Sequence, residues 1–362
     1  MRRLVLVAVA ALAAWAAAGN GAPPASRGEG RLDLVAFPGY AEAGGDDPRV
    51  NWVTPFVQQT GCKVRVRTVR SSTELLETVA NGRYDGVAAF GDVTQALVDG
   101  HDVAPIDLAR VPRYAAVYPA LKRLPQNHDG GRVVGIPHGR GPELLLWRTD
   151  LVRPVPRSWR ALYDHRYAGR IGFHDEAIEL ATTATQLGLA TPYELDRGQF
   201  LRVVRAAAAQ STDAGFYWQD LTNALAAYTG GNGVIGQATP RLAALLRADD
   251  VPIATSTPPG SAARSASWML LARARHPDCM YRWLDYIVSP KPNAASARYL
   301  HEAPATPDAC AYMDCAAVHA GDERYWSRLF FWRTPQRACG DRRGEACADW
   351  FDWSDAWARI RG

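Results

Sequence analysis

Short aliphatic and β-branched runs alternate with helix-period segments along the first hundred residues, and this alternation restricts the fold more than any other feature. Leu32-Asp33-Leu34-Val35-Ala36-Phe37 reads as a strand closed by Pro38-Gly39. Residues 50–60 read as a helix stopped by Gly61. Residues 62–69 read as a strand in which Val64, Val66 and Val69 alternate with Lys63, Arg65 and Arg67. Ser71-Ser72-Thr73-Glu74 offers an N-cap to a helix running through Val79. Residues 85–90 predict a third strand and 94–99 a third helix ending at Gly100. Strands separated by helices pair in parallel, so the expected class is α/β with helices on the sheet faces. The same grammar continues. Strands are expected at 133–137, 144–147, 170–173, 234–235 and 267–271. Helices are expected from 158 and over 177–187, 200–209, 221–228, 241–247 and 279–288.

A chain of 362 residues is long enough for two lobes at roughly 100–200 residues each. Its 48% apolar and 22% charged residues exclude disorder and coiled coil. The formal charge of +4 comes almost wholly from arginines interleaved with acids, without the clustered basic face that nucleic-acid binding needs. Arg2 and Arg3 precede an apolar run from Leu4 to Ala18 that is too short to span a bilayer. With Ala16-Ala17-Ala18 it reads as a signal peptide over 1–18, followed by a loose leader over 19–30. Removing Arg2 and Arg3 takes the charge from +4 to +2. The exported chain is then expected to be soluble; the alternative is an uncut anchor.

Six cysteines fit an oxidising compartment: Cys62, Cys279, Cys310, Cys315, Cys339 and Cys347. None forms a C-x-x-C pair. Of the 15 pairings that six cysteines allow, the reading adopted is Cys310 with Cys315, Cys339 with Cys347 and Cys62 with Cys279. A mixture of bridges and buried thiols is the alternative.

Gly231-Asn232-Gly233-Val234-Ile235-Gly236 matches G-x-G-x-x-G. Here, however, a helix precedes the glycines and a strand runs through them. A helix C-cap and tight turn therefore explain them better than a nucleotide site. His174-Asp175-Glu176 with Glu179 is the densest polar cluster, placed where a strand ends and a helix begins. Glu176 and Glu179, three apart, are expected to share a helix face. They read either as dipole-complementing acids or as a carboxylate pair in a crevice at the strand ends, able to hold an ammonium group or a metal. His174, Asp175 and Glu176 form the alternative metal set. Asp92 sits alike after the third strand, where it could also be a plain N-cap. Trp218 and Asp220 put an aromatic face beside an acid, a combination suited to organic cations. The late aromatics Trp326, Phe330, Phe331, Trp332, Trp350, Phe351, Trp353 and Trp357 read as packing residues with arginines on their faces, in a tail without clear period. Hydrolase and zinc-protease motifs are absent. An exported hydrolase with Glu176 or Asp92 as general base is kept as the rival from another class, beside an envelope interaction protein without a ligand.

The order of segments resembles a family. Its carriers are Phe37-Pro38-Gly39-Tyr40, Thr60-Gly61-Cys62-Lys63-Val64, Gly82-Arg83-Tyr84-Asp85-Gly86-Val87, Gly135-Ile136-Pro137, Ser158-Trp159, His276-Pro277-Asp278-Cys279 and Glu302-Ala303-Pro304-Ala305. Over nearly the whole chain after the leader, this order resembles the solute-binding proteins of ABC importers, in their spermidine/putrescine-binding branch. The tail resembles that of a subgroup carrying Trp-x-Thr-Pro, here Trp332-Arg333-Thr334-Pro335. The resemblance implies a two-lobe periplasmic-binding-protein fold of the class II type, hinged between lobes. Lobe one would hold 31–137 and 264–309, lobe two 138–263, and the Cys/Trp-rich tail 310–362. It implies an exported, periplasmic or otherwise extracytoplasmic monomer without catalysis or cofactor. Such a protein would capture a polyamine or related amine and dock on a membrane permease, with no part for nucleic acid.

In that family aromatic side chains sandwich the amine's methylenes and acids bind its ammonium groups. Carried over, Phe37 stands where the family has Trp, and Tyr40 matches its Tyr. Asp92 lies on the third-strand loop that lines the cleft, Glu176 and Glu179 lie where the family has acids, and Gln237 lies near a cleft Trp. Arg264-Ser265-Ala266 replaces the family's Trp-x-Asp. The resemblance thus leaves a variant open, an amino acid or other zwitterion with Arg264 taking its carboxylate.

Overall fold

The structure, a computed structural model, describes residues 29–45, 47–335 and 348–362. The expected signal peptide over 1–18, most of the leader, and the pair Cys339 and Cys347 lie outside the described residues.

Two sheets face one another across a cleft. In the first, Lys63–Thr68, Arg31–Ala36 and Gly86–Phe90 run parallel, and Ala266–Leu271 pairs antiparallel to Gly86–Phe90. Val103–Ala104 and Ile136–Pro137 add to Ala266–Leu271. In the second, Ala214–Trp218, Ile171–His174 and Ile235–Ala238 run parallel, followed by antiparallel Leu144–Arg148 and Ile253–Ser256. The central strands are buried on both faces, as parallel strands between helices must be.

The chain passes between the sheets on two short strands, Gly139–Pro142 and Ala262–Arg264, which pair antiparallel with each other. Ala303–Pro304 and Phe330–Phe331 flank them, making a four-stranded bridge. This is the two-lobe, mixed α/β arrangement with crossover strands that the sequence implies. Cys62 is joined to Cys279, tying the chain just before the edge strand Lys63–Thr68 to the helix Pro277–Ile287. Cys310 is joined to Cys315.

Several expectations need correction. The helix expected at 94–99 starts at Gly91, directly after the strand, so Asp92 sits in its first turn while Phe90 is the N-cap. The helix expected over 177–187 is a 3-10 turn, Ala177–Glu179, followed by an α-helix, Leu180–Gln186. Glu176 is then the extended residue before the turn, so Glu176 and Glu179 do not share one continuous helix face. The aperiodic tail is built into the body. Its Phe330–Phe331 joins the bridge, and its helix Trp350–Arg361 packs on the helix Arg197–Ser211 through Trp353 against Phe200. Phe351 departs from the packing expectation and stands exposed.

Candidate functional site

Parallel strands converge at their carboxyl ends, and the helices that follow aim their N-termini at the same place. A cavity of about 380 Å³ opens there between the sheets. The first sheet contributes Phe37, Tyr40 and Phe90, each at or just after a strand end. The second contributes His174, Glu176, Trp218 and Asp220. Arg264 enters from the bridge, Arg241 and Tyr299 from one side, and Trp332 from the tail.

The rings form a continuous wall. Phe37 tilts against Phe90 at 4.9 Å, and Tyr40 meets Phe90 edge-on at 5.7 Å. Phe90 meets Trp332 edge-on at 5.6 Å. Trp332 stacks on the His174 ring at 6.0 Å, and His174 stacks on Trp218 at 4.5 Å. Trp332 was read as packing; the structure places it in the cavity instead.

Behind the wall lies a layer of buried acid. Asp92, Glu143, Glu176, Glu179 and Glu302 are all buried, with Arg264 the buried arginine among them. The Glu176 carboxylate reaches across the cleft to accept the backbone N–H of Ser72 at 3.2 Å, at the start of the helix Ser72–Asn81. Burial, reinforced by the neighbouring Asp92 charge, holds its pKa well above the ordinary range. Asp92 is fully buried; its carboxylate makes no hydrogen bond of good geometry, although the Ser72 hydroxyl and the Asp92 and Val93 N–H groups lie close to it. Burial pushes its pKa up to about 6.

Arg264 is already occupied. Its Nε and Nη2 donate to Glu302 Oε1 at 3.1 and 2.8 Å, and its Nη1 donates to Glu143 Oε1 at 3.1 Å. Burial works against the guanidinium charge, but the two carboxylates outweigh it and hold its pKa above the ordinary value. Glu143 keeps one oxygen unpartnered, and burial lifts its pKa to about 7.

The remaining expected residues divide. Asp220 lines the cavity but spends one oxygen capping its helix, accepting from the Asn223 N–H at 3.0 Å. Gln237 and Glu179 do not line this cavity; they lie beneath His174. Gln237 Oε1 accepts the His174 N–H at 2.9 Å, and Gln237 Nε2 donates to Glu179, which also accepts from Thr182 Oγ1 at 3.0 Å. Their visible work is to position His174. The metal set His174, Asp175 and Glu176 is not assembled, because Asp175 is turned to the tail helix. There it accepts from Trp357 Nε1 at 2.9 Å and from Arg361 at 2.7 and 2.8 Å. Glu143, His174 and Glu179 instead offer ligand atoms within 4.8 Å of one another, although Glu143 and Glu179 already hold Arg264 and Gln237.

Sequence reasoning missed Phe90, Arg241, Tyr299 and Trp332. Arg241 lies over the Tyr299 ring at 4.0 Å, and its buried Nε has no partner.

An acid whose folded pKa exceeds its unfolded value destabilises the fold once ionised, because the unfolded chain gives up the proton first. For Asp92, carried from 3.8 to about 6, stability should fall as pH rises through that window, by roughly 3 kcal/mol. Denaturant midpoints of Asp92→Asn should therefore lie above those of the parent at pH 8 and converge with them near pH 4. A variant less stable than the parent at pH 8 would refute this account of Asp92.

Among the described residues no helix is long and apolar enough to cross a membrane. The fold is similar to that of a provisional spermidine/putrescine ABC transporter protein from Listeria monocytogenes, at TM-score 0.77 and 15% identity, covering 92% of this chain and 99% of that one. It is similar to the spermidine/putrescine substrate-binding protein PotD of Streptococcus pneumoniae, at TM-score 0.70 and 16% identity, covering 91% and 98%. It is equally similar to the A. tumefaciens B6 binding protein MotA, solved with glucopine, at TM-score 0.70 and 12% identity, covering 92% and 100%. Residues 51–317 match the profile of the bacterial extracellular solute-binding proteins. That family is not enzymatic, which sets aside the hydrolase reading. The chain belongs to the bacterial extracellular solute-binding protein family, which binds small solutes for ABC transporters.

Proposed function

We propose that the chain captures a small organic cation, a polyamine or related amine, in the cleft and hands it to an ABC permease outside the cytoplasm. One observation carries this reading: the buried Glu176 carboxyl lines an aromatic-walled cavity, with Asp92, Glu143, Glu179 and Glu302 also buried and Arg264 already paired with two of them. Leaving carboxylates buried without compensation is costly, so they hold protons or await a cation. An entering ammonium would let Asp92 and Glu176 ionise, and the aromatic wall would cover its methylenes by cation–π and dispersion contact.

A second reading is a zwitterion, an amino acid or an amino-acid conjugate. It is favoured by Arg241, which lines the cavity with an unpartnered Nε. Arg264, the residue first suited to a ligand carboxylate, is spent on Glu143 and Glu302.

Thermal-shift screening against putrescine, spermidine, amino acids and divalent metals separates these readings, because a ligand that binds only the folded state raises Tm. A rise of several degrees with spermidine or putrescine is expected. A rise with amino acids alone would replace the amine reading by the zwitterion reading.

A further inference from the structure

We propose that the Trp332-Arg333-Thr334-Pro335 segment of the tail is part of the ligand site: Trp332 is the stacking wall that meets the bound amine, and Thr334 is the residue that positions it. This rests on reading the cleft as an amine site and adds the element that gives it an indole face.

The geometry is specific. The strand Phe330–Phe331 runs parallel to Ala262–Arg264, and the Trp332 N–H continues the ladder to Ala263 O at 2.8 Å. This delivers the indole to the cavity between Phe90 of the first sheet and His174 of the second. Trp332 is thus the ring that bridges the aromatics of the two lobes.

Two residues later the chain is fastened. Thr334 Oγ1 donates to Gly91 O at 3.0 Å and accepts the Gln95 N–H at 3.0 Å, so one hydroxyl ties the segment to the first turn of the helix carrying Asp92. Gly91 is needed for the approach: a Cβ there would fall 2.0 Å from Trp332 O. On the other side Arg333 pairs with Glu194 at 3.4 Å. Backbone pairing before the tryptophan and a doubly bonded threonine after it hold the ring edge-on to Phe90 and stacked on His174. A residue that only filled the core would not need to line the cavity, as Trp332 does.

A cation held over a desolvated indole makes a contact that an aliphatic side chain of similar bulk cannot replace. Calorimetric titration with spermidine tests this in the parent, Trp332→Leu, Trp332→Phe, Thr334→Val and Thr334→Ser. Trp332→Leu should weaken spermidine about tenfold. Trp332→Phe should recover most of that loss. Thr334→Val should weaken spermidine severalfold, and Thr334→Ser, which keeps the hydroxyl, should restore it. Circular dichroism and Tm of each variant show whether the fold is kept. Equal affinities for the parent, Trp332→Leu and Trp332→Phe would overturn the stacking role while leaving the amine reading intact. Loss shared equally by the valine and serine variants would overturn the positioning role. A parent that binds no spermidine would sink the amine reading, and this proposal with it.

Discussion

Glu176→Gln combined with Asp92→Asn is expected to lower spermidine affinity by two orders of magnitude or more while leaving the empty protein folded. These acids come from opposite sides of the cleft, Asp92 after the strand Gly86–Phe90 and Glu176 after Ile171–His174. Burial makes both hard to ionise, and the Asp92 charge adds to the difficulty for Glu176. Without a cation the pair stores unfavourable free energy; with one, that free energy returns as binding. Truncating a buried partner of a charge pair typically costs 2–5 kcal/mol of affinity, a factor of roughly 30 to several thousand. Glutamine at 176 can still accept the Ser72 N–H, so the interlobe contact survives. Titration of the double variant reads the loss directly; affinity unchanged within a factor of three would show that these carboxyls do not face the solute.

The second large effect concerns stability. Arg264→Met should lower Tm by about 5 °C. Arg264 ends one crossover strand, Glu143 follows the other, and Glu302 precedes the short strand Ala303–Pro304 beside them. The three side chains therefore tie the bridge on which the lobes hinge. Removing the arginine strands two buried carboxylates, and breaking a buried ion pair in this way costs about 3–5 kcal/mol. In a chain of this size each kcal/mol moves Tm by only about one to two degrees. Glu143→Leu and Glu302→Leu added to Arg264→Met remove the stranded charges and should recover much of the loss. A single variant with parental Tm would mean that the triad does not hold the bridge.

The strands of β-branched and aliphatic residues were legible, because Leu32, Leu34, Val64 and Val87 stand at positions that only a buried or half-buried strand explains. The crossover strands were not. Gly139–Pro142 and Ala262–Arg264 carry no alternation and low β-propensity, and they are strands because each is the other's partner. Ala214–Trp218 was hidden by Gly215 and by a run of aromatics that satisfies no period. Within the site, Phe37, Tyr40 and Glu176 could be placed from the chain because they follow legible strands, and Trp218 because it pairs an aromatic with an acid; all line the cavity. Arg264 could not be interpreted alone, since its partners lie 121 and 38 residues away. Trp332 sits in a stretch without period, and only pairing with the bridge carries it into the cleft.

Calorimetric titration of the unmodified protein with spermidine at pH 5.5 and at pH 8 tests the central claim most directly. The account predicts saturable one-to-one binding that is tighter at pH 8, with protons released to the buffer at pH 5.5 as Asp92 and Glu176 ionise against the incoming ammonium. Absence of saturable binding at both pH values, or an affinity that falls as pH rises, would contradict it.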